Sequence, residues 1–195
     1  MKDINVLITG AGAPGAPGII KSLKKTKERN IKIIGVDMNT EVSGKAMVDT
    51  FYKVPKATDS NFINRIMKIC RIENIDVVLP LVTKELLKFA RNKYKFETIG
   101  VSVSISDENS LKIANNKGKL FNFMKEKGLQ TPNFEVVNNI NEFKNAVSHL
   151  GYPEKIICFK PTLANGSRGF RIINPQINEG EIIFNQKPNN TYISY

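Results

Sequence analysis

Residues 5–18 read Asn5-Val6-Leu7-Ile8-Thr9-Gly10-Ala11-Gly12-Ala13-Pro14-Gly15-Ala16-Pro17-Gly18. A short apolar run that stops at glycines reads as a buried strand, here Asn5 to Thr9. Gly10 to Gly18 reads as a tight loop. Ile19 to Lys27 has helical spacing, with Ile19, Ile20 and Leu23 on one face. Lys32 to Asp37 is a second apolar strand. Strand, glycine loop, helix and strand make a βαβ unit, and its handedness makes the two strands parallel.

Working outward, the alternation continues. Phe51 to Val54 reads as a short strand closed by Pro55. Asn61 to Ile72 is helical, with Phe62, Ile66, Ile69 and Cys70 on its apolar side. Ile75 to Leu79 is a buried strand ended by Pro80. Thr83 is placed to cap a helix over Lys84 to Asn92, and Ile99 to Ile105 is a fifth strand. Five strands separated by helices predict an α/β fold with a Rossmann-like parallel sheet covered on both faces. The pattern changes near Ser106. Ser106-Asp107-Glu108 starts a helix by N-cap chemistry. Lys117 to Lys127 and Asn141 to Leu150 are further helices. Phe134 to Val137 is strand-like. Ile156 to Phe159 and Phe170 to Ile173 are strands flanking the loop Lys160 to Gly169. This α+β order places a domain boundary between residues 106 and 116, giving domains over 1–112 and 113–195.

The chain has 195 residues, 29 basic and 18 acidic side chains, one His and two Cys. At 41% hydrophobic and 24% charged it has the composition of a globular protein rather than a disordered one. No apolar run reaches the roughly 20 residues that a membrane helix needs. The N-terminus lacks the long apolar stretch of a signal peptide, so a cytoplasmic location is expected. Cys70 and Cys158 stand alone, which argues against a disulfide framework and a CxxC metal site. The net charge of +11 comes mostly from Lys spread along helical stretches, with no Arg cluster and no basic block interleaved with aromatics. That favours a solvated surface over a nucleic-acid partner.

Two constellations could carry chemistry. Gly10-x-Gly12-x-x-Gly15 lies between a strand and a helix, and Asp37 ends the second strand. Such a loop lets a pyrophosphate approach the backbone, and such an Asp can accept from a ribose hydroxyl. Pro14 and Pro17 count against a dinucleotide site, because each removes an N–H donor. The second constellation is Lys117 at a helix start, Lys160 at the end of an apolar strand, and Gly166-Ser167-Arg168-Gly169 beyond it. A lysine at the end of a buried strand calls for an anion. Glycine N–H groups, a hydroxyl and a guanidinium at the loop tip suit a phosphate. Glu85 follows Pro80 at the C-terminal edge of the sheet, where open α/β sheets bind ligands. It suits a substrate amine, the neighbouring domain or the helix dipole. His149 near a helix C-terminus fits a dipole role. Cys70 and Cys158 read as packing residues.

The sequence resembles the N-terminal part of an ATP-grasp enzyme of the carbamoyl-phosphate synthase large-subunit type. The matching stretches run in order. They are Val6 to Gly12, Ile34-Gly35-Val36-Asp37, Asp49 with Tyr52 to Pro55, and Ile75 to Pro80 with Glu85-Leu86. Then come Asn116-Lys117, Gly128 with Thr131-Pro132, and Phe159-Lys160-Pro161 leading to Gly166–Gly169. The resemblance implies that residues 1–112 are a pre-ATP-grasp domain forming the substrate side, with Gly10, Gly12 and Glu85 near the substrate. It implies that residues 113–195 are the first subdomain of an ATP-grasp fold. Lys117 and Lys160 would meet ATP phosphates, and Gly166, Ser167, Arg168 and Gly169 would close over them. Asn116 stands where the family often has Asp.

The same resemblance implies an ATP- and Mg²⁺-dependent ligase joining a carboxylate to an amine or ammonia through an acyl phosphate. ATP and a small carboxylate and amine would be its partners, and a homodimer is compatible with it. The only acidic residues after Lys160 are Glu179 and Glu181. The expectation is therefore a truncated grasp whose metal ligands lie outside this chain and which is inactive alone. An NAD(P)-binding oxidoreductase and a non-catalytic binding module are the alternatives.

Overall fold

The computed structural model describes residues 2–164, 169–176 and 191–193. The chain divides into two compact units, Met1–Leu111 and Lys112–Tyr195.

The first unit is built on β1 (Ile4–Thr9), α1 (Ala16–Lys24), β2 (Ile31–Asp37), a short 3-10 helix (Ser43–Met47), β3 (Thr50–Lys53), α2 (Phe62–Ile72), β4 (Val77–Leu79), α3 (Thr83–Glu97) and β5 (Ser102–Val103). The five strands form one sheet in the order β3-β2-β1-β4-β5, and every pairing is parallel. Leu7 lies opposite Ile34 on one side and Val78 on the other. Side chains alternate across a strand, so β1 feeds two cores. Leu7 joins Ile34, Val36 and Val78 beneath Phe62 of α2 and Phe89 and Phe96 of α3. Phe89 meets Phe62 edge-on, with ring centroids 5.7 Å apart. Val6 and Ile8 point the other way, onto Ala16 and Ile20 of α1 and Ile33 of β2. A sheet covered on both faces explains why its strands read as continuous apolar runs.

Several boundaries differ from the sequence reading. α1 begins at Ala16, not Ile19, because Pro17 sits in the first turn, where a missing N–H is harmless. Thr83 is inside α3 and does not cap it. The N-cap is Val82, in extended conformation. α3 continues to Glu97, past Asn92, and β5 is only two residues long. β2 and β3 are joined by the 3-10 turn rather than an α-helix.

In the rest of the chain, α4 (Glu108–Ala114), α5 (Lys117–Glu126) and α6 (Ile140–His149) precede β6 (Ile157–Phe159), β7 (Arg171–Ile173) and β8 (Thr191–Ile193). β6 pairs antiparallel with β7, and β7 pairs parallel with β8. The helix starts follow their side chains. The Asp107 carboxylate accepts from the Ser110 N–H at 2.9 Å, Asn116 from the Lys119 N–H at 3.0 Å, and Asn139 from the Glu142 N–H at 2.9 Å. Residues 134–137, read as strand-like, form none. Phe134 instead stacks obliquely on Phe121 of α5, centroids 5.1 Å apart.

Candidate functional site

The strand order reverses between β1 and β4, and an open parallel sheet binds ligands in the crevice at that point. Here the C-terminal strand ends enclose a crevice of about 610 Å³ lined by Gly10, Gly12, Asp37, Lys56, Lys84 and Glu85, among others. Gly10 closes β1 at φ +62°, and a Cβ on it would lie 2.3 Å from Val82 Cγ2. Only glycine lets β1 turn there against the start of α3.

Asp37 ends β2. Its Oδ2 accepts from the Gly12 N–H at 2.9 Å and its Oδ1 from the Asn39 N–H at 2.9 Å. The carboxylate therefore ties β2 to the glycine loop. A Cβ on Gly12 would stand 2.7 Å from Val42 Cγ1 and 3.1 Å from Asp37 Oδ2. Within the loop, Ala11 donates to Val36, Ala13 to Gly10 and Ala16 to Ala13. Four amides are thus engaged internally, while Pro14 and Pro17 have none. This is not the open row of donors that a dinucleotide pyrophosphate requires, so the oxidoreductase alternative is not supported.

Glu85 sits in the first turn of α3 and is only 7% exposed. Its Oε2 is buried and has no hydrogen-bond partner among the described residues. Burial pushes its carboxyl up to about 7. The nearby Asp37 charge adds to this, while a hydrogen bond with the Thr9 hydroxyl opposes it. Thr9, fully buried at the end of β1, also accepts from the Leu81 N–H at 3.2 Å.

The second constellation lies in the second unit. The Lys117 backbone N–H donates to the Thr162 carbonyl at 3.0 Å, and its Nζ donates to the Ala164 carbonyl at 2.8 Å. The start of α5 is thereby tied to the segment that follows β6. Lys160 Nζ stands 5.7 Å from the centroid of Phe121. Gly169 has φ +76°, and a Cβ there would come within 2.8 Å of Pro161 Cγ. Lys117, Lys160 and Gly169 thus share the base of one loop. Gly166, Ser167 and Arg168, and likewise Glu179 and Glu181, lie outside the described residues.

A family model of the PylC-like N-terminal domain matches residues 6–104. The chain belongs to this family. The match contains all of the parallel sheet except the first two residues of β1, and every residue of the crevice. This PylC-like chain is also 24% identical over 151 residues to the carbamoyl phosphate synthase large chain of Pseudothermotoga lettingae, a match covering 76% of the chain and 13% of that protein. Its fold is similar to that of N5-carboxyaminoimidazole synthetase from Staphylococcus aureus complexed with ADP. There the TM-score is 0.66 at 17% identity, over 93% of this chain and 43% of that one. N5-carboxyaminoimidazole ribonucleotide synthetase from Thermotoga maritima gives 0.57 at 18% identity, over 96% and 44%. The expected α/β fold with its parallel sheet is the one observed, and the likeness to these structures is one of fold. The chain spans less than half the length of these relatives.

Within the PylC-like unit the structure brings Gly10, Gly12 and Glu85 together on one crevice. It also adds Thr9, Lys56 and Lys84, which no motif singled out. Two readings are corrected. Lys160 is exposed, so no burial cost demands an anion there. Cys158 is exposed too, because only one face of β6 is covered. Cys70 is a packing residue, its thiol pushed up to about 12 by burial. His149 ends α6, with Nδ1 3.5 Å from Glu135 Oε1. No helix among the described residues is long and apolar enough to cross a membrane.

Proposed function

We propose that this chain is the N-terminal portion of an ATP-dependent carboxylate–amine ligase of the ATP-grasp type. In this reading the PylC-like unit presents the substrate side through Gly10, Gly12 and Glu85. Lys117, Lys160 and the loop Gly166, Ser167, Arg168 and Gly169 hold the ATP phosphates. The observation that carries the reading is the crevice itself. It places a buried carboxyl, one oxygen of which has no partner among the described residues, at the switch point of a sheet whose family match covers residues 6–104.

ATP would supply the phosphoryl group that activates the carboxylate. The lysines would supply positive charge to the phosphates, which is electrostatic and positioning work. The residues present suit that task. Among the described residues the Lys117 ammonium has one acceptor, the Ala164 carbonyl, and Lys160 is exposed just after β6. With ATP, Mg²⁺ is held by one or two carboxylates plus phosphate oxygens, and no group of three or more His, Cys, Asp or Glu side chains comes together among the described residues. The 195-residue chain is expected to bind ATP without turning it over.

A thermal-shift titration tests this, since a ligand that binds only the folded state raises the melting temperature. ATP should stabilise the chain and NAD(P) should not. Lys117→Ala and Lys160→Ala should each weaken the ATP effect. ADP formation by the chain alone, or stabilisation by NAD(P) in place of ATP, would overturn the reading.

A further inference from the structure

Glu85 is buried and lines a crevice open to solvent, and among the described residues its Oε2 has no hydrogen-bond partner. An unmet buried acceptor carries a desolvation cost, and a group retained at such a cost is a candidate for ligand binding. The charged groups around it come from three elements. Asp37 stands at the end of β2, Lys56 after β3, and Lys84 precedes Glu85 on its own helix. Thr9 faces it from β1. Both lysines are exposed, and among the described residues neither forms an ion pair with Glu85. Both Asp37 oxygens already accept backbone N–H groups.

That leaves one free buried oxygen, and the number narrows the ligand. A divalent cation takes about six oxygen ligands, and a guanidinium is matched by two oxygens of one carboxylate. A primary ammonium is a compact charge that a single oxygen can hold, with its remaining hydrogens free for other acceptors. We propose that the crevice binds a primary ammonium group on Glu85 Oε2 and releases a proton as it does so. With the crevice empty, burial raises the Glu85 carboxyl to about 7, so near neutral pH it is divided between acid and carboxylate. On binding, Glu85–COOH and R–NH₃⁺ give the carboxylate–ammonium pair, and the proton passes to solvent. This deepens the ligase reading by fixing the charged form in which the amine partner arrives. It rests on that reading only for calling the amine a co-substrate.

The test uses the whole chain without ATP, so its outcome is separate from that of the ATP titration. Calorimetry with ethylammonium chloride, in buffers of different ionisation enthalpy, counts protons released. Binding should be about tenfold tighter near pH 8 than near pH 6, as the ionised fraction of an acid titrating about 7 requires. Close to one proton should be released at the lower pH and almost none at the higher. Ethylguanidinium and Mg²⁺ should bind more weakly. Glu85→Gln should abolish both binding and proton release. A ¹³C-carboxyl titration of Glu85 in the unaltered chain needs no variant, and its midpoint should fall when ethylammonium is added. Absent binding, equal affinity at the two pH values, preference for the guanidinium or the metal, or an unmoved midpoint would each overturn the proposal.

Discussion

Replacing Glu85 by Gln keeps its shape and removes its charge, which separates what the residue does for stability from what it does in the crevice. An unfolded Glu ionises near 4.3, whereas the folded carboxyl is pushed up to about 7. Below both values the group is neutral in each state and costs nothing. As the pH rises towards about 7, the unfolded chain gains from ionisation that the fold resists, so stability falls. The cost builds up between about pH 4 and pH 7, and full ionisation at alkaline pH costs about 4 kcal/mol at most, the free energy of that shift. Glu85→Gln is therefore expected to be close to neutral for stability near pH 4 and stabilising by about 2–4 kcal/mol near pH 8. Urea unfolding at both pH values checks this. A variant less stable than the original chain near pH 8 would contradict it. A side chain whose removal stabilises the fold is the pattern of a group kept for binding.

The secondary-structure elements differ in how far their sequences reveal which faces are covered. Cys70 lies on the inner side of α2 among Ile66, Met67 and Ile69, and Cys158 lies on the open side of β6. The thiolate is the reactive form, and burial pushes Cys70 up to about 12. A thiol reagent should modify one cysteine of the native chain, Cys158, and both after unfolding in urea. Mass mapping that finds Cys70 labelled in the native state would contradict this. The same pair shows what was legible. Phe62, Ile66, Ile69 and Cys70 recur at helical spacing, and α2 buries that stripe. Ile157-Cys158-Phe159 is a short continuous apolar run, which cannot show whether one face or two are covered. Only Ile157 of the three is buried. Lys160 follows the same rule, since an apolar run before a lysine does not show whether the strand is enclosed, and this lysine is exposed. In the crevice, Gly10 and Gly12 were legible because turns and close approaches demand glycine. Thr9, Lys56 and Lys84 carry no such signature, because their role depends on parallel pairing between strands far apart in sequence.

At the scale of the whole molecule, apolar burial is divided unequally between the two units. Both core clusters draw all their members from residues 4–105. Beyond Leu111, the buried apolar side chains among the described residues are Ala146, Val147, Ile157 and Ile173. Leu129, Ile140, Ile156 and Leu163 of the second unit are each more than half exposed. Burial stabilises by roughly 25 cal/mol per Å² of apolar surface, and fixing each residue costs about 1–2 kcal/mol, so a unit with few buried apolar groups cannot offset its own ordering. Residues 1–111 made alone are therefore expected to fold. They should give an α/β far-UV circular dichroism spectrum and a cooperative urea transition, and should keep the ethylammonium site, since every crevice residue lies within them. Residues 112–195 made alone are expected to lack a cooperative transition. The opposite pattern would mean that the five-stranded sheet depends on the second unit and that the crevice is not shaped by the PylC-like unit by itself.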